Sequence, residues 1–204
     1  MSFMKIIIIP GPSGSGKTSL AKNLMMHSEN SYIISTDDYY KTGNISNLLS
    51  YFIPSYFDRK ISHNSKLLEE TIIKILKDKE INYSYKYDFI KKRTEITQNK
   101  ILNIENLIIE GIFTMELLKF ISTNDYLLVS LKINRDICMK RVYERDHIER
   151  GKSKKKSIKD FIKAWNIYKN KEKSYKILGK GKELIFDKEP NINIILNQLT
   201  NKIQ

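Results

Sequence analysis

The stretch KIIIIPGPSGSGKT, residues 5–18, decides the fold. Four consecutive isoleucines, Ile6 to Ile9, leave no polar face, so a strand here must be covered on both sides, as strands of a parallel sheet are. The residues that follow fit GxxxxGK[ST], with Gly11, Gly16, Lys17 and Thr18 at the fixed positions and Pro12, Ser13, Gly14 and Ser15 between them. Glycines let the backbone curl until successive N–H groups face inward. The helix that follows, with Ser19 in its first turn, adds its dipole, and together they make a cradle for a phosphate. In that arrangement Lys17 bridges the outer phosphates of a nucleoside triphosphate and Thr18 ligates Mg²⁺. A strand before the loop and a helix after it are what this mechanism demands, which lifts the match above a chance glycine turn.

Four more short apolar runs, at residues 32–35, 106–110, 126–133 and 183–186, recur between segments of helical spacing. That alternation predicts an α/β fold with a parallel sheet. Residues 66–77 carry Leu67, Leu68, Ile72, Ile73, Ile75 and Leu76 on one stripe, a helix packed on the core. Residues 191–203, with Ile192, Ile194, Ile195, Leu196, Leu199 and Ile203, predict a closing helix over the sheet. Around 81–105 the polar and aromatic alternation predicts a β-hairpin beside the sheet. Without a repeat, linker or low-complexity tract, residues 1–204 read as one domain.

Hydrophobic residues at 41% and charged residues at 29% suit a globular chain and exclude a disordered one. The single cysteine, Cys138, excludes an internal disulfide and a cysteine zinc site, and points to a buried thiol in a cytoplasmic protein. No apolar run reaches membrane-spanning length. The net charge of +13 would suit a polyanionic partner. Lys, Ile and Asn are abundant throughout, however, and the lysines are scattered, so nucleic-acid binding is not expected.

The acceptor of a phosphoryl group has to be sought elsewhere in the chain. Asp37 and Asp38 follow the run 32–35 at the carboxyl end of a strand, where ligands of open α/β sheets collect. A carboxylate there can take the proton of an attacking hydroxyl and order a magnesium shell, or else cap a helix or turn. Glu110 ends the run 106–110 before Gly111 and can hold Mg²⁺ through water, or be a solvated loop acid. Arg141, Arg145, Arg150 and Lys152 lie in KRVYERDHIERGK, either neutralising a transferred phosphoryl from a mobile lid or forming a salt-bridged helix face with Glu144, Asp146 and Glu149.

In this order the segments resemble the uridine kinase (uridine–cytidine kinase) family, within the phosphoribulokinase and uridine kinase group of P-loop kinases. GPSGSGKTSLAK resembles its glycine loop, STDDYYK its acceptor-side aspartate motif and KYDF its hairpin motif. IIEGI resembles its magnesium-side strand, RDHIERGK its arginine lid, and GKELIFDKEPNINIIL its closing strand and helix. The resemblance implies a P-loop NTPase fold with five parallel strands flanked by helices, a hairpin excursion and an arginine lid at about 141–160. It implies transfer of the ATP γ-phosphate, with Mg²⁺, to the 5′-hydroxyl of uridine or cytidine, and a homo-oligomer. Asp37 becomes the general base and a magnesium-shell residue, with Thr18 and Glu110 beside it. Lys17, Arg145 and Arg150 serve catalysis and Lys152 the nucleotide, while Tyr40, Tyr87, Lys92, Arg141 and Arg150 face the acceptor.

The departures all concern the acceptor. Pyrimidine-reading members carry a histidine soon after YDF, where this chain has Ile90, Lys91 and Lys92 before Arg93. The family's ribose-holding aspartate falls at Ile61 in FDRKISHN, and a glutamine is missing near Asp160. His63 and Lys92 are candidate replacements; His27 and His147 read as helix-surface residues and Trp165 and Tyr168 as packing. A site built for one set of polar groups rejects analogues that leave them unpaired, so these changes point to a changed acceptor such as nicotinamide riboside, pantothenate or a sugar. A P-loop ATPase or binding module without a metabolite acceptor is the alternative from another class.

Overall fold

The computed structural model describes residues 4–53, 56–121 and 124–200. In chain order the elements are β1 (Lys5–Pro10), α1 (Lys17–Met26), β2 (Ser31–Ser35), α2 (Asn44–Phe52), α3 (Ser65–Asp78), β3 (Ile81–Asp88) and β4 (Arg93–Ile101). There follow β5 (Asn106–Gly111), α4 (Leu118–Ile121), β6 (Tyr126–Leu131), α5 (Arg135–Arg150), α6 (Lys154–Glu172), β7 (Gly181–Phe186) and α7 (Ile192–Thr200). Short 3₁₀ turns cover Thr36–Tyr39, Tyr56–Asp58, Lys60–Ser62 and Thr114–Leu117. Residues 201–203 of the predicted closing helix lie outside the described residues.

Five strands form one parallel sheet in the order β2-β5-β1-β6-β7. From β1 the chain moves toward β2 on one side and later toward β6 on the other, so β1 is where the winding reverses. In open α/β sheets that reversal opens a crevice at the carboxyl ends of the strands, and the glycine loop leaves β1 there. Strands β3 and β4 form the predicted hairpin as a separate antiparallel pair.

The isoleucine run divides between two cores. Ile6 and Ile8 face one way with Leu107 and Ile109, and α3 covers them with Leu68, Ile72 and Ile75. Ile7 and Ile9 face the other way with Ile108, under Leu20 and Leu24 of α1, Cys138 and Val142 of α5, and Ile195 and Leu199 of α7. A strand buried on both faces needs no alternation, which is why its signal is continuous. Tyr126 fixes the far edge: its hydroxyl donates to the Leu178 carbonyl at 2.8 Å, and its ring fills the space a Cβ would take at Gly181. Among the described residues no helix is long and apolar enough to cross a membrane.

Two features depart from the sequence expectation. Ile73, placed on the apolar stripe of α3, is 49% exposed and stands outside the core. Helix α2 had no predicted counterpart, because it reverses the usual rule: Ser46 is buried, bonded to the Lys41 carbonyl at 2.8 Å, while Ile45, Leu48 and Phe52 are exposed. Large-to-small changes separate the faces of α3. Ile72→Ala should cost about 2–5 kcal/mol in urea unfolding, and Ile73→Ala less than about 1 kcal/mol.

Candidate active site

The glycine loop is closed tightly by its neighbours. Gly14 and Gly16 adopt φ 81° and 94°, and a Cβ on Gly14 would lie 2.3 Å from the Cys138 carbonyl oxygen of α5. Only glycine meets both demands at Gly14. Lys17 is buried and donates to the Pro12 carbonyl at 3.0 Å, while the buried Ser15 hydroxyl has no partner. A loop with an ammonium folded over it and an unused hydroxyl inside is equipped to receive an anion.

Register brings the acids to the same place. Ile9 pairs with Glu110 across β1 and β5, and Ser35 pairs with Glu110 across β2 and β5. Buried Glu110 therefore sits between the glycine-loop helix and the exit of β2, and its Oε1 accepts from Thr18 Oγ1 at 3.1 Å and from Ser35 Oγ at 2.8 Å. The turn Thr36–Tyr39 then presents two aspartates with different employment. Asp38 accepts the Tyr87 amide at 2.9 Å and ties the hairpin to the turn. Asp37 has a buried Oδ1 with no partner. Burial first, and then the charge of Glu110, push the Asp37 carboxyl up to about 6 against the opposing pull of Lys17 and Arg145.

Beyond Asp37 lies a wall of rings: Tyr40 packs edge-on against Tyr87 at 5.1 Å, Phe57 at 5.2 Å and Phe89 at 5.9 Å. A narrow cavity of about 10 Å³ runs beside it, lined by Ser13 of the glycine loop, Asp58, Ile112, Ala164, Tyr168 and Lys171. Burial, then the charges of Asp37 and Asp160, push Asp58 up to about 7. Ile61, which the resemblance sets at the family's ribose-holding aspartate position, is 49% exposed.

The arginine segment is organised by one buried acid. Asp146 accepts from Arg145 Nη2 at 2.8 Å and lies 3.4 Å from both Arg150 Nη1 and Lys152 Nζ; Lys152 also reaches Asp160 at 3.3 Å. Arg150 lies over the Phe89 ring at 4.1 Å, joining this segment to the hairpin. Asp146, one of the partners the sequence offered for a salt-bridged helix face, does pair with these cations but is buried. Its signal was present in its place between Arg145 and Arg150, four residues and one helical turn before the latter.

Three expected acceptor contacts are placed differently. Arg141 points at the glycine loop, 3.4 Å from the Gly14 carbonyl, and lines a separate cavity of about 330 Å³ with Ser19, Asn23, Ile133, Glu189 and Pro190. Lys92, at φ 51° in the hairpin turn, reaches α2, 3.4 Å from Ser50 Oγ and 4.7 Å from the Tyr51 ring. His63 is buried behind the Asp37 turn, its Nε2 2.9 Å from the Thr36 carbonyl.

Thr18, Ser35, Asp37 and Glu110 offer only hard oxygen donors, a set that suits Mg²⁺. Among the described residues no group of three or more His, Cys, Asp or Glu gathers as a metal cage. A cation held here would complete its shell with water and nucleotide oxygens.

A phosphate loop at the switch point, facing a partnerless carboxylate and a cluster of arginines, defines a P-loop kinase. The chain matches the phosphoribulokinase / uridine kinase family over residues 6–175 and belongs to it. The uridine kinase of Borrelia hermsii is 30% identical over 163 residues, 78% of this chain and 75% of that protein. That of Borrelia duttonii is 29% identical over 165 residues, 79% of this chain and 76% of that protein. The solved D-glycerate 3-kinase of Cryptococcus neoformans is alike in fold, with a TM-score of 0.61 at 15% identity, covering 92% of this chain and 87% of that one.

Asp58 makes stability depend on pH in a definite sense. Between its ordinary 3.8 and about 7 the folded chain binds a proton that the unfolded chain does not, so stability rises as pH falls through that window. His63, lowered from 6.5 to about 4 chiefly by burial, acts oppositely but only below about 6.5. Without nucleotide or Mg²⁺, Tm should therefore rise as pH is lowered from about 8 to 6.5, and Asp58→Asn should flatten that slope; thermal melts across this range measure it.

Proposed function

We propose that this chain is a kinase of the uridine kinase type that transfers the γ-phosphoryl group of ATP to a hydroxyl of a ribonucleoside. The observation that carries the reading is the buried, partnerless Oδ1 of Asp37, in the electrostatic field of Lys17 and Arg145 and at the edge of the ring wall. An acceptor hydroxyl donating to that oxygen satisfies it. A carboxylate near 6 can then take the proton as the oxygen–phosphorus bond forms and the γ-phosphoryl leaves the β-phosphate oxygen.

The same reading gives the remaining residues their roles. Gly11, Ser13, Gly14, Ser15, Gly16, Lys17, Thr18 and Ser19 cradle the phosphates, and Arg141 with the 330 Å³ cavity takes the nucleotide's far end. Arg145, Arg150 and Lys152 form a lid that offsets charge on the moving phosphoryl. Mg²⁺, held through Thr18, Glu110 and Asp37, would neutralise the phosphate oxygens. Tyr40, Tyr87 and Phe89 wall the acceptor, and Asp58 accepts from two neighbouring sugar hydroxyls, a pattern that a carboxylate's two oxygens match. The exposed Tyr83, Ile90 and Ile96 of the hairpin support the homo-oligomer implied by the resemblance.

One observation favours a second acceptor class. Lys92 replaces the pyrimidine-reading histidine and is engaged by α2, so a base other than uracil or cytosine, as in nicotinamide riboside, fits the same sugar site. ATP consumption with uridine, cytidine, nicotinamide riboside, pantothenate and simple sugars separates these. Turnover should require a ribonucleoside, and turnover of pantothenate alone overturns the proposal. Asp37→Asn should lower kcat at least ~10²-fold with ATP affinity intact. Asp58→Asn should raise the acceptor KM about tenfold or more while sparing the KM for ATP.

A further inference from the structure

The segment after the turn Lys60–Ser62 is stitched to the turn that carries Asp37. The Lys41 amide donates to the Ser62 carbonyl at 2.7 Å, the Asn64 amide donates to the Tyr39 carbonyl at 2.8 Å, and Tyr40 and His63 form an antiparallel bridge. His63 occupies the centre of this seam and is 4% exposed. Its ring lies against Phe113, centroids 4.5 Å apart, and meets the edge of Tyr40 at 6.3 Å.

Both ring nitrogens are used. Nε2 is 2.9 Å from the Thr36 carbonyl oxygen, which can only accept, so Nε2 carries the hydrogen. Nδ1 is then free to accept from the Ser65 hydroxyl at 3.4 Å. The charged groups facing the ring are Glu116, Lys171 and Lys41. Glu116 is already shared by Lys60 at 3.3 Å and Lys171 at 3.1 Å, so no free carboxylate favours an imidazolium, and burial pushes the ring down to about 4. Thr36 is itself fully buried and precedes Asp37 directly, so its carbonyl has no water to turn to if the donor is removed.

We infer that His63 is a positioning residue: as a neutral ring with its hydrogen on Nε2, it donates to the Thr36 carbonyl and fixes the turn that aims Asp37 Oδ1 at the acceptor. The inference rests on Asp37 acting as the base, as set out under Proposed function. It gives His63 no contact with the acceptor, because both nitrogens are engaged and the residue is buried behind the turn.

His63→Leu removes the donor and keeps bulk, whereas His63→Gln returns an N–H near the Nε2 position. The Leu variant should lose about tenfold or more in kcat, with the KM values for ATP and acceptor within about twofold of the parent, and the Gln variant should recover most of that loss. Amide hydrogen exchange over residues 36–39 should quicken in the Leu variant and not in the Gln variant. Long-range ¹H–¹⁵N NMR of the parent at about pH 6 should show the His63 ring neutral with hydrogen on Nε2. A hydrogen on Nδ1, an imidazolium at that pH, or a Leu variant with parental kcat and exchange overturns the inference. If the Leu variant does not fold, the ring tautomer and the kcat of the Gln variant decide. Should Asp37→Asn retain full turnover, the base reading fails, while tautomer and exchange still judge whether His63 holds the turn.

Discussion

One carboxylate oxygen organises the carboxyl edge of this sheet. Glu110 Oε1 accepts from Thr18 at the start of the glycine-loop helix and from Ser35 at the end of β2. Three segments far apart in sequence are thereby held at one point, and the Asp37 turn begins at the next residue after Ser35. The placement is possible because β5 lies between β1 and β2, so that Glu110 is level with both Ile9 and Ser35. A one-residue slip of β5 would exchange Leu107 and Ile109 with Ile108 between two apolar cores, but it would also turn Glu110 away from Thr18 and Ser35, so the polar contacts specify the register more sharply than the apolar run does. The buried Glu110 is costly by itself, and its two hydroxyl donors offset part of that cost.

The electrostatics around this point are arranged as opposition held apart. Asp37 and Asp58 are each raised by burial and by other acids, while Arg145, Arg150 and Lys152 stand nearby but converge on Asp146. One buried acid shared among three cations leaves net positive charge on the segment. That charge still reaches Asp37, where Arg145 opposes the rise. Cations gathered on a neighbouring acid can neutralise an arriving phosphate without pairing directly with Asp37, as the role proposed for Asp37 requires.

What the sequence disclosed followed the range of the physics involved. The glycine loop and the buried strands were legible because positive φ at Gly14 and Gly16, and apolarity on both faces of β1, are demands each residue meets locally. Helix α2 was not, since its inward face carries Ser46 and its outward face Ile45, Leu48 and Phe52, the inverse of the pattern that marks a core-facing helix. The division of labour between Asp37 and Asp38 was also hidden: it depends on which carboxylate meets the Tyr87 amide, across 49 residues of chain. Arg141 and Arg145 differ by one helical turn, and only the position of the loop against α5 sends the first to Gly14 and leaves the second near Asp37.

On the acceptor side the position of the nearest acid departs from the family's motif. Residues 57–64 carry no acid at the position where the family holds ribose, and the two 3₁₀ turns there are separated by Arg59 in an extended conformation with ψ 145°. Side chains three apart in one continuous 3₁₀ turn would eclipse, so Asp58 and Ile61 would share a face. The break at Arg59 prevents this, and Ile61 faces outward while Asp58 lines the cavity with Ser13 and Lys171. Under the proposed function Asp58 would meet the acceptor's sugar from the side of Ser13, and the cavity there, about 10 Å³ as it stands, would have to widen to admit it.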